Sequence, residues 1–177
     1  MRIISGKYKG KNLIGFDIEG TRPTMDRVKE SLFAMIQNKI NNSTILDLFA
    51  GSGSLGIEAI SNGAKTVYFV DNNIELINII KNNTKSMKDD IIIIKNDYQN
   101  ALLDFKNKNI KLDIIFLDPP YKLNLINNCL NKILEYNLLN SDGIIVCEYE
   151  NEIIENSKLN LIKEKKYGSK NIKIFKL

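Results

Sequence analysis

Hydrophobic and polar positions change their rhythm near residue 42. Before that point, "RIISGKYKGKNL" (2–13) alternates and carries Gly6 and Gly10, the pattern of a short β-hairpin. From Thr24 the apolar residues Val28, Leu32, Met35 and Ile36 recur at helical spacing, with Thr24 placed as an N-cap and Asp26 in the first turn. A polar break, "NKINNS", follows. Beyond it, apolar runs at 44–49, 66–70, 91–95, 112–117 and 143–149 alternate with helical stretches at about 74–87 and 124–136. Short, continuously apolar strands separated by helices predict a parallel sheet covered on both faces. The tail, "LNLIKEKKYGSKNIKIFKL", holds two strands around Gly168 and Ser169 with no helix between them, so it closes as an antiparallel hairpin. The expectation is a doubly wound α/β domain over 43–177, preceded by a hairpin-plus-helix extension over 1–42.

Composition narrows the chemistry. The 177 residues, 44% hydrophobic and 26% charged, suit a globular fold with a core of its own. No apolar run is long enough to cross a bilayer, and the opening "MRIISGKYKG" lacks the apolar stretch of a signal peptide. Cys129 and Cys147 lack metal-ligand spacing and fit buried core thiols, which agrees with a cytoplasmic location. The chain contains no histidine. That excludes Ser-His triads, histidine-based zinc sites and the usual acid/base group at neutral pH. Charge gathers at the ends: residues 156–177 carry seven Lys against Glu164, and residues 1–11 carry Arg2, Lys7, Lys9 and Lys11 with no acid. Basic ends suit a polyanion partner. Lysines guarding exposed strand edges would give the same pattern.

Residues 47–56, "DLFAGSGSLG", place Gly51, Gly53 and Gly56 as G-x-G-x-x-G between a strand and a helix, with Asp71 at the end of the next strand. Such a loop lets backbone approach a nucleotide, and the distal acid can accept from a ribose diol. Asp47 decides which nucleotide. Beside a pyrophosphate it would repel. Beside S-adenosylmethionine, which carries an ammonium and a sulfonium against one carboxylate, it attracts. Two unit charges ~4 Å apart gain ~4 kcal/mol at an effective dielectric of 20, before desolvation. The alternative role for Asp47 is to cap the loop. Asp97, just past another strand end, lies on the same rim within reach of an adenine amine, or else caps the helix that follows.

"DIIFLDPPY" puts two of the chain's three prolines side by side. Asp118 stands at a strand's carboxyl end, where open α/β sheets bind ligands. Pro119 and Pro120 fix φ and donate no N–H, which stiffens the corner and leaves its carbonyls free to accept. With Tyr121 to stack on a ring, the corner suits a planar group bearing an exocyclic NH₂. Hydrogen bonds from that amine to Asp118 and a proline carbonyl would aim the nitrogen lone pair at an activated methyl, so the transfer runs without imidazole. The plain alternative is a tight turn with Asp118 capping a helix.

"DLFAGSGSLGIEAISNGA", "DPPY", "MRIISGKYKGKNL" and "TRPTMDRVKESLF" together resemble bacterial 16S rRNA (guanine-N2)-methyltransferases of the small ribosomal subunit. The glycine loop and DPPY are shared across amino-group methyltransferases; the R-P-T-x-D-R-V-x-E-x-L-F element carries the family. The resemblance implies a class I, Rossmann-like fold with a seven-stranded, mostly parallel sheet. It implies S-adenosylmethionine as donor, S-adenosylhomocysteine as product, no metal, and 16S rRNA of an assembled or assembling subunit as partner of a monomer. By residue, it implies that Asp47, Gly51 and Gly53 line the methionine part and Asp71 the ribose. Asp97 would meet the adenine, and Asp118, Pro119, Pro120 and Tyr121 the target base. The Arg22-Pro23-Thr24 turn and the hairpin would form a lid beside cofactor and RNA, with Arg22 and Arg27 facing phosphate or bridging Glu30 or Asp26. Three rivals follow. One is an adenine-N6 or protein-glutamine methyltransferase, one a silent rRNA-binding assembly factor, and one an NAD enzyme.

Overall fold

The computed structural model describes residues 1–15, 22–120 and 125–177, and for 22–25 the backbone alone. Five parallel strands form the sheet's body: β1 (Thr44–Asp47), β2 (Thr66–Asp71), β3 (Asp90–Lys95), β4 (Leu112–Leu117) and β5 (Leu139–Tyr149). Helices α2 (Ser54–Ser61), α3 (Ile74–Thr84), α4 (Tyr98–Asn107) and α5 (Ile126–Glu135) connect them, and α1 (Arg22–Ile40) precedes them. The terminal hairpin is β6 (Asn160–Tyr167) and β7 (Lys170–Lys176), and its second strand pairs antiparallel with β5. The sheet order is β3-β2-β1-β4-β5-β7-β6. This is the doubly wound arrangement that the hydrophobic runs predict, and the seven-stranded, Rossmann-like sheet that the resemblance implies.

The side-chain pattern explains the layering. In β4, Ile114 and Phe116 pack with α1 and α2, whereas Ile115 and Leu117 pack with α4 and α5; all four are at most 1% exposed. Burial on both faces accounts for the unbroken apolar run. Cys129 and Cys147 are buried free thiols in the α4–α5 layer. At the far edge, β6 is exposed along nearly its whole length and carries Lys163, Lys165 and Lys166, residues that discourage edge-to-edge pairing.

Several boundaries differ from the sequence expectation: β5 begins at Leu139 rather than 143 and α3 ends at Thr84 rather than near 87. Helix α1 starts at Arg22, so Thr24 lies within its first turn rather than capping it, and Arg22-Pro23-Thr24 is helix, not a free turn. Proline is tolerated there because first-turn N–H groups have no intrahelical acceptor. Strand β1 stops at Asp47, two residues early, where the backbone turns into the glycine loop. The N-terminal hairpin is held by one bridge, Arg2 to Asn12, flanked by hydrogen bonds from the Ile3 amide to Lys11 O (3.0 Å) and from the Gly10 amide to Ile3 O (2.9 Å). Ile3 and Leu13 enter the same buried cluster as α1 and the sheet.

Among the described residues, no helix is long and apolar enough to cross a membrane. The sheet's sense of progression reverses between β1 and β4, one running on to β2 and β3, the other to β5 and β7. A crevice opens at the carboxyl ends of the strands at such a reversal.

Candidate active site

The glycine loop is built by backbone on both sides of that crevice. The Leu48 amide donates to Phe116 O (3.2 Å) and the Ala50 amide to Val70 O (2.9 Å), so the loop is laced to β4 and β2 before α2 begins. Gly53 precedes α2 with φ 81°, a left-handed conformation that costs a side-chain-bearing residue about 1–2 kcal/mol. Gly56 has another reason. A Cβ there would stand 2.3 Å from the Phe69 ring, so the missing side chain lets α2 lie against β2. At Gly51 the surroundings are open, with no atom within 4 Å of where a Cβ would stand.

Asp47 lies beneath the first turn of α2, 2% exposed, and its Oδ2 accepts from the Gly56 amide (2.9 Å). It therefore fills the capping role that the sequence left open. Burial pushes its carboxyl up to about 7, opposed by the Gly56 N–H and reinforced by Asp71. Asp71 ends β2 and ties the rim together: the Gly51 amide donates to its Oδ2 (3.0 Å) and the Asn73 amide to its Oδ1 (2.9 Å). Asp97 is the N-cap of α4. Its Oδ1 accepts from the Gln99 (3.0 Å) and Asn100 (3.1 Å) amides, its Oδ2 from the Asn100 side chain. Those bonds, the Asn100 amide first, hold its carboxyl below the usual range. Its place on the rim is fixed by the Asn96 amide, which donates to Asp71 O (3.1 Å).

Asp118 follows β4 directly and is half-buried, with Pro119 buried behind it and Pro120 exposed. Tyr121 and the side chain of Thr24 lie outside the described residues. Desolvation raises the Asp118 carboxyl well above its usual range; Glu148 and Asp47 add to the effect, and Lys170 opposes it. Glu148 continues the β4–β5 register one step past Leu117 and Cys147, beside Asp118, and forms an ion pair with Lys170 at the start of β7. A cavity of about 70 Å³ is lined by Asp118, Glu148, Lys170, Ser54, Leu55 and Asp26, among others. The loop-bearing helix and the proline corner thus open onto one space. A larger hollow of about 600 Å³ lies by Asn131, Glu155 and Leu177, away from both the loop and the corner. Size alone does not mark the site.

Four charged residues to which sequence reasoning assigned no role shape this region. Glu58 of α2, 1% exposed, accepts from the Ile4 amide (3.0 and 3.1 Å) and from the Ser5 amide and hydroxyl (2.8 Å each). It pairs with Lys29 of α1 (3.1 Å), which also donates to Arg2 O (2.8 Å). The other two are Glu148 and Lys170. Three of the four carry a legible signal: Lys29 interrupts α1's apolar stripe, and Glu58 and Glu148 each sit within an apolar run. Asn83, 3% exposed, links the N-terminal segment to the glycine loop, donating to Ile14 O (2.9 Å) and Ser52 O (3.0 Å).

The chain matches the family model described as "Conserved hypothetical protein 95" over residues 1–176. It is 37% identical over 173 residues to ribosomal RNA small subunit methyltransferase D of Haemophilus influenzae, covering 95% of this chain and 89% of that one. The chain belongs to the small-subunit rRNA methyltransferase D family. The Escherichia coli protein of that name is 32% identical over 152 residues, covering 86% and 76% of the two chains. The solved structure of Escherichia coli yhhF superposes with a TM-score of 0.86 at 28% identity, over 99% of this chain and 96% of that one. SMU.776, solved with S-adenosylhomocysteine, shares the fold at 16% identity, with a TM-score of 0.70 over 86% of this chain and 49% of that one.

Proposed function

We propose that this family member transfers a methyl group from S-adenosylmethionine to the exocyclic N2 amine of a guanine in 16S rRNA. It acts as a cytoplasmic monomer on an assembled or assembling small subunit. The observation that carries this reading is the shared cavity: Ser54 and Leu55, at the start of the loop-bearing helix, and Asp118, at the proline corner, line one space at the β1–β4 reversal.

The cofactor fits the residues present. Gly51 leaves open room where a side chain would stand, Asp71 presents a carboxylate on the rim for a ribose diol, and Asp47 supplies latent negative charge under the loop. Asp97, beside Asp71, faces the adenine, and Thr24 closes over the cofactor with the N-terminal segment. S-adenosylmethionine, when bound, supplies a methyl already activated by its sulfonium. What remains for the protein is placement. Asp118 Oδ and a proline carbonyl accept the two N–H groups of the target amine, turning its lone pair toward the methyl, while Tyr121 stacks on the base. The nitrogen gains the methyl carbon as that carbon's bond to sulfur breaks, leaving the electron pair on sulfur in the thioether S-adenosylhomocysteine. The nitrogen also gives up one proton to solvent. Positioning of this kind needs no imidazole.

The test is transfer of labelled methyl from S-adenosylmethionine to undermodified small subunits, followed by nucleoside mapping. N2-methylguanosine at one position is the expected product. Label on adenine N6 or on protein, or none on RNA, overturns the reading, as would tighter calorimetric binding of NAD than of S-adenosylhomocysteine.

A further inference from the structure

Beside Asp118, two more charged groups line the same cavity, and neither belongs to the glycine loop or the proline corner. They come from successive strands. Asp118 follows β4, Glu148 is on β5 and Lys170 opens β7, and these strands are neighbours in that order. Glu148 pairs in register with Ile172, two residues from Lys170, so Glu148 and Lys170 share one face of the sheet. That face is also Asp118's: it lies two residues beyond Phe116, which packs in the α1 layer with Ile172. The cavity wall therefore presents carboxylate, carboxylate, ammonium in a row.

A guanine shows the complementary row along its Watson–Crick edge: the N2 amine donates, N1–H donates and O6 accepts. An adenine offers an amine beside a bare N1 lone pair, which would face a carboxylate. Enzymes that modify bases read that edge by hydrogen bonds. Resting on the guanine-N2 reading above, we propose that Glu148 and Lys170 are specificity residues: Asp118 takes the N2 amine, Glu148 accepts from N1–H, and Lys170 donates to O6. A carboxylate accepts several hydrogen bonds and an ammonium donates three, so the Glu148–Lys170 ion pair can persist while both contact the base. The pair also places the ammonium. Its charge opposes the upward push that burial, and then Glu148, give the Asp118 carboxyl. Of the other charged groups on the cavity, Lys29 is engaged with Glu58, and Asp26 lies 3.5 Å from Arg2.

The decisive probe is 2-aminopurine, which keeps the methyl-accepting amine but lacks both N1–H and O6. Small subunits reconstituted with guanine or 2-aminopurine at the mapped target are compared in kcat/KM. A site built to hydrogen-bond its substrate should prefer guanine by at least about 100-fold in the wild-type protein. Glu148→Gln, whose amide can donate to the bare N1, should slow guanine and shrink that preference by about tenfold or more. Lys170→Met should shrink it by about tenfold. Affinity for S-adenosylhomocysteine within about threefold of wild type reports intact folding of each variant. A wild-type preference near unity, or folded variants that keep the full preference while still forming N2-methylguanosine, overturns the inference and leaves the guanine-N2 assignment standing. Failure of that assignment shows separately, as a wild-type product other than N2-methylguanosine.

Discussion

Glu58 and Asp118 are both carboxylates on the α1 side of the sheet, and their surroundings differ in kind. Glu58 is enclosed and answered on all sides: two backbone amides, a hydroxyl and the Lys29 ammonium converge on it. Asp118 stands at the lip of a cavity, half-buried, with Glu148 as its neighbour and its carboxyl pushed upward. One charge is fully served by its own chain; the other is held at a cost that a ligand carrying N–H donors would relieve. Satisfied buried charge marks architecture, while strained charge in a cleft marks a site. The contrast separates what holds the N-terminal segment in place from what is proposed to touch the base.

The largest effect should come from the architectural side. Lys29→Met leaves Glu58 buried without its cation and should cost about 3–5 kcal/mol in urea unfolding, whereas the double change Lys29→Met with Glu58→Leu should recover much of that loss. A single variant as stable as wild type would show that the pair is not what anchors residues 4 and 5. On the chemical side, Asp118→Ala should lower methyl transfer by at least about a hundredfold while leaving S-adenosylhomocysteine affinity within several-fold. Unchanged transfer would remove the proposed role of the corner. The two variants should fail oppositely, one in stability and one in rate.

The same contrast marks how far the sequence could be read. Parallel strands, covering helices and the terminal hairpin were legible because apolar periodicity reports burial directly, as the unbroken run of β4 does. The glycine loop and the DPP corner were legible because few residue types tolerate those backbone demands; Gly53 at φ 81° is an example. Partners across the fold were not. Glu58 meets Ile4 and Lys29, 54 and 29 positions away, and no local pattern encodes that meeting. Thr24 was misplaced as an N-cap because the preceding proline fits a helix's first turn as well as a loop. Asp47 and Asp97 show a further limit. Each carries a capping bond that local rules anticipate, and a capping bond neither requires nor forbids a ligand on the same rim.

Asp47 permits a sharper comparison with Glu58, because its state should respond to a ligand. Burial favours its neutral form, so ionisation is resisted until about pH 7. A cation placed beside it reverses that preference and expels the proton. Affinity for S-adenosylmethionine should therefore rise with pH, by up to about tenfold per unit below 7, and level off above it. Asp47→Asn should flatten the profile, and calorimetry in buffers of different ionisation enthalpy should detect proton release in the wild type only. A wild-type profile flat from pH 5.5 to 8 would mean that Asp47 serves α2 alone, as Glu58 serves the N-terminal segment.

The smallest effect concerns the exposed edge. Lys163 donates to Met35 O (2.9 Å) and Lys165 lies 3.4 Å from the Ser31 hydroxyl, so both lean on α1, while Glu164 faces Tyr149 and Lys173 on the opposite side. If these lysines only guard the edge, replacing Lys163, Lys165 and Lys166 with Ser leaves RNA affinity and its salt dependence unchanged. If the strand also follows a phosphate backbone, each contact removed releases fewer counterions. The plot of log affinity against log salt then becomes shallower by about 0.7–0.9 for each contact. The β6–β7 turn lies at the same end of the sheet as Lys170, so a strand bound in the cavity has a short path to this edge. A few-fold loss of affinity at low salt, vanishing at high salt, is the expected result. It should leave methyl transfer at saturating substrate untouched, because these lysines stand outside the cavity that Asp118 and Glu148 line.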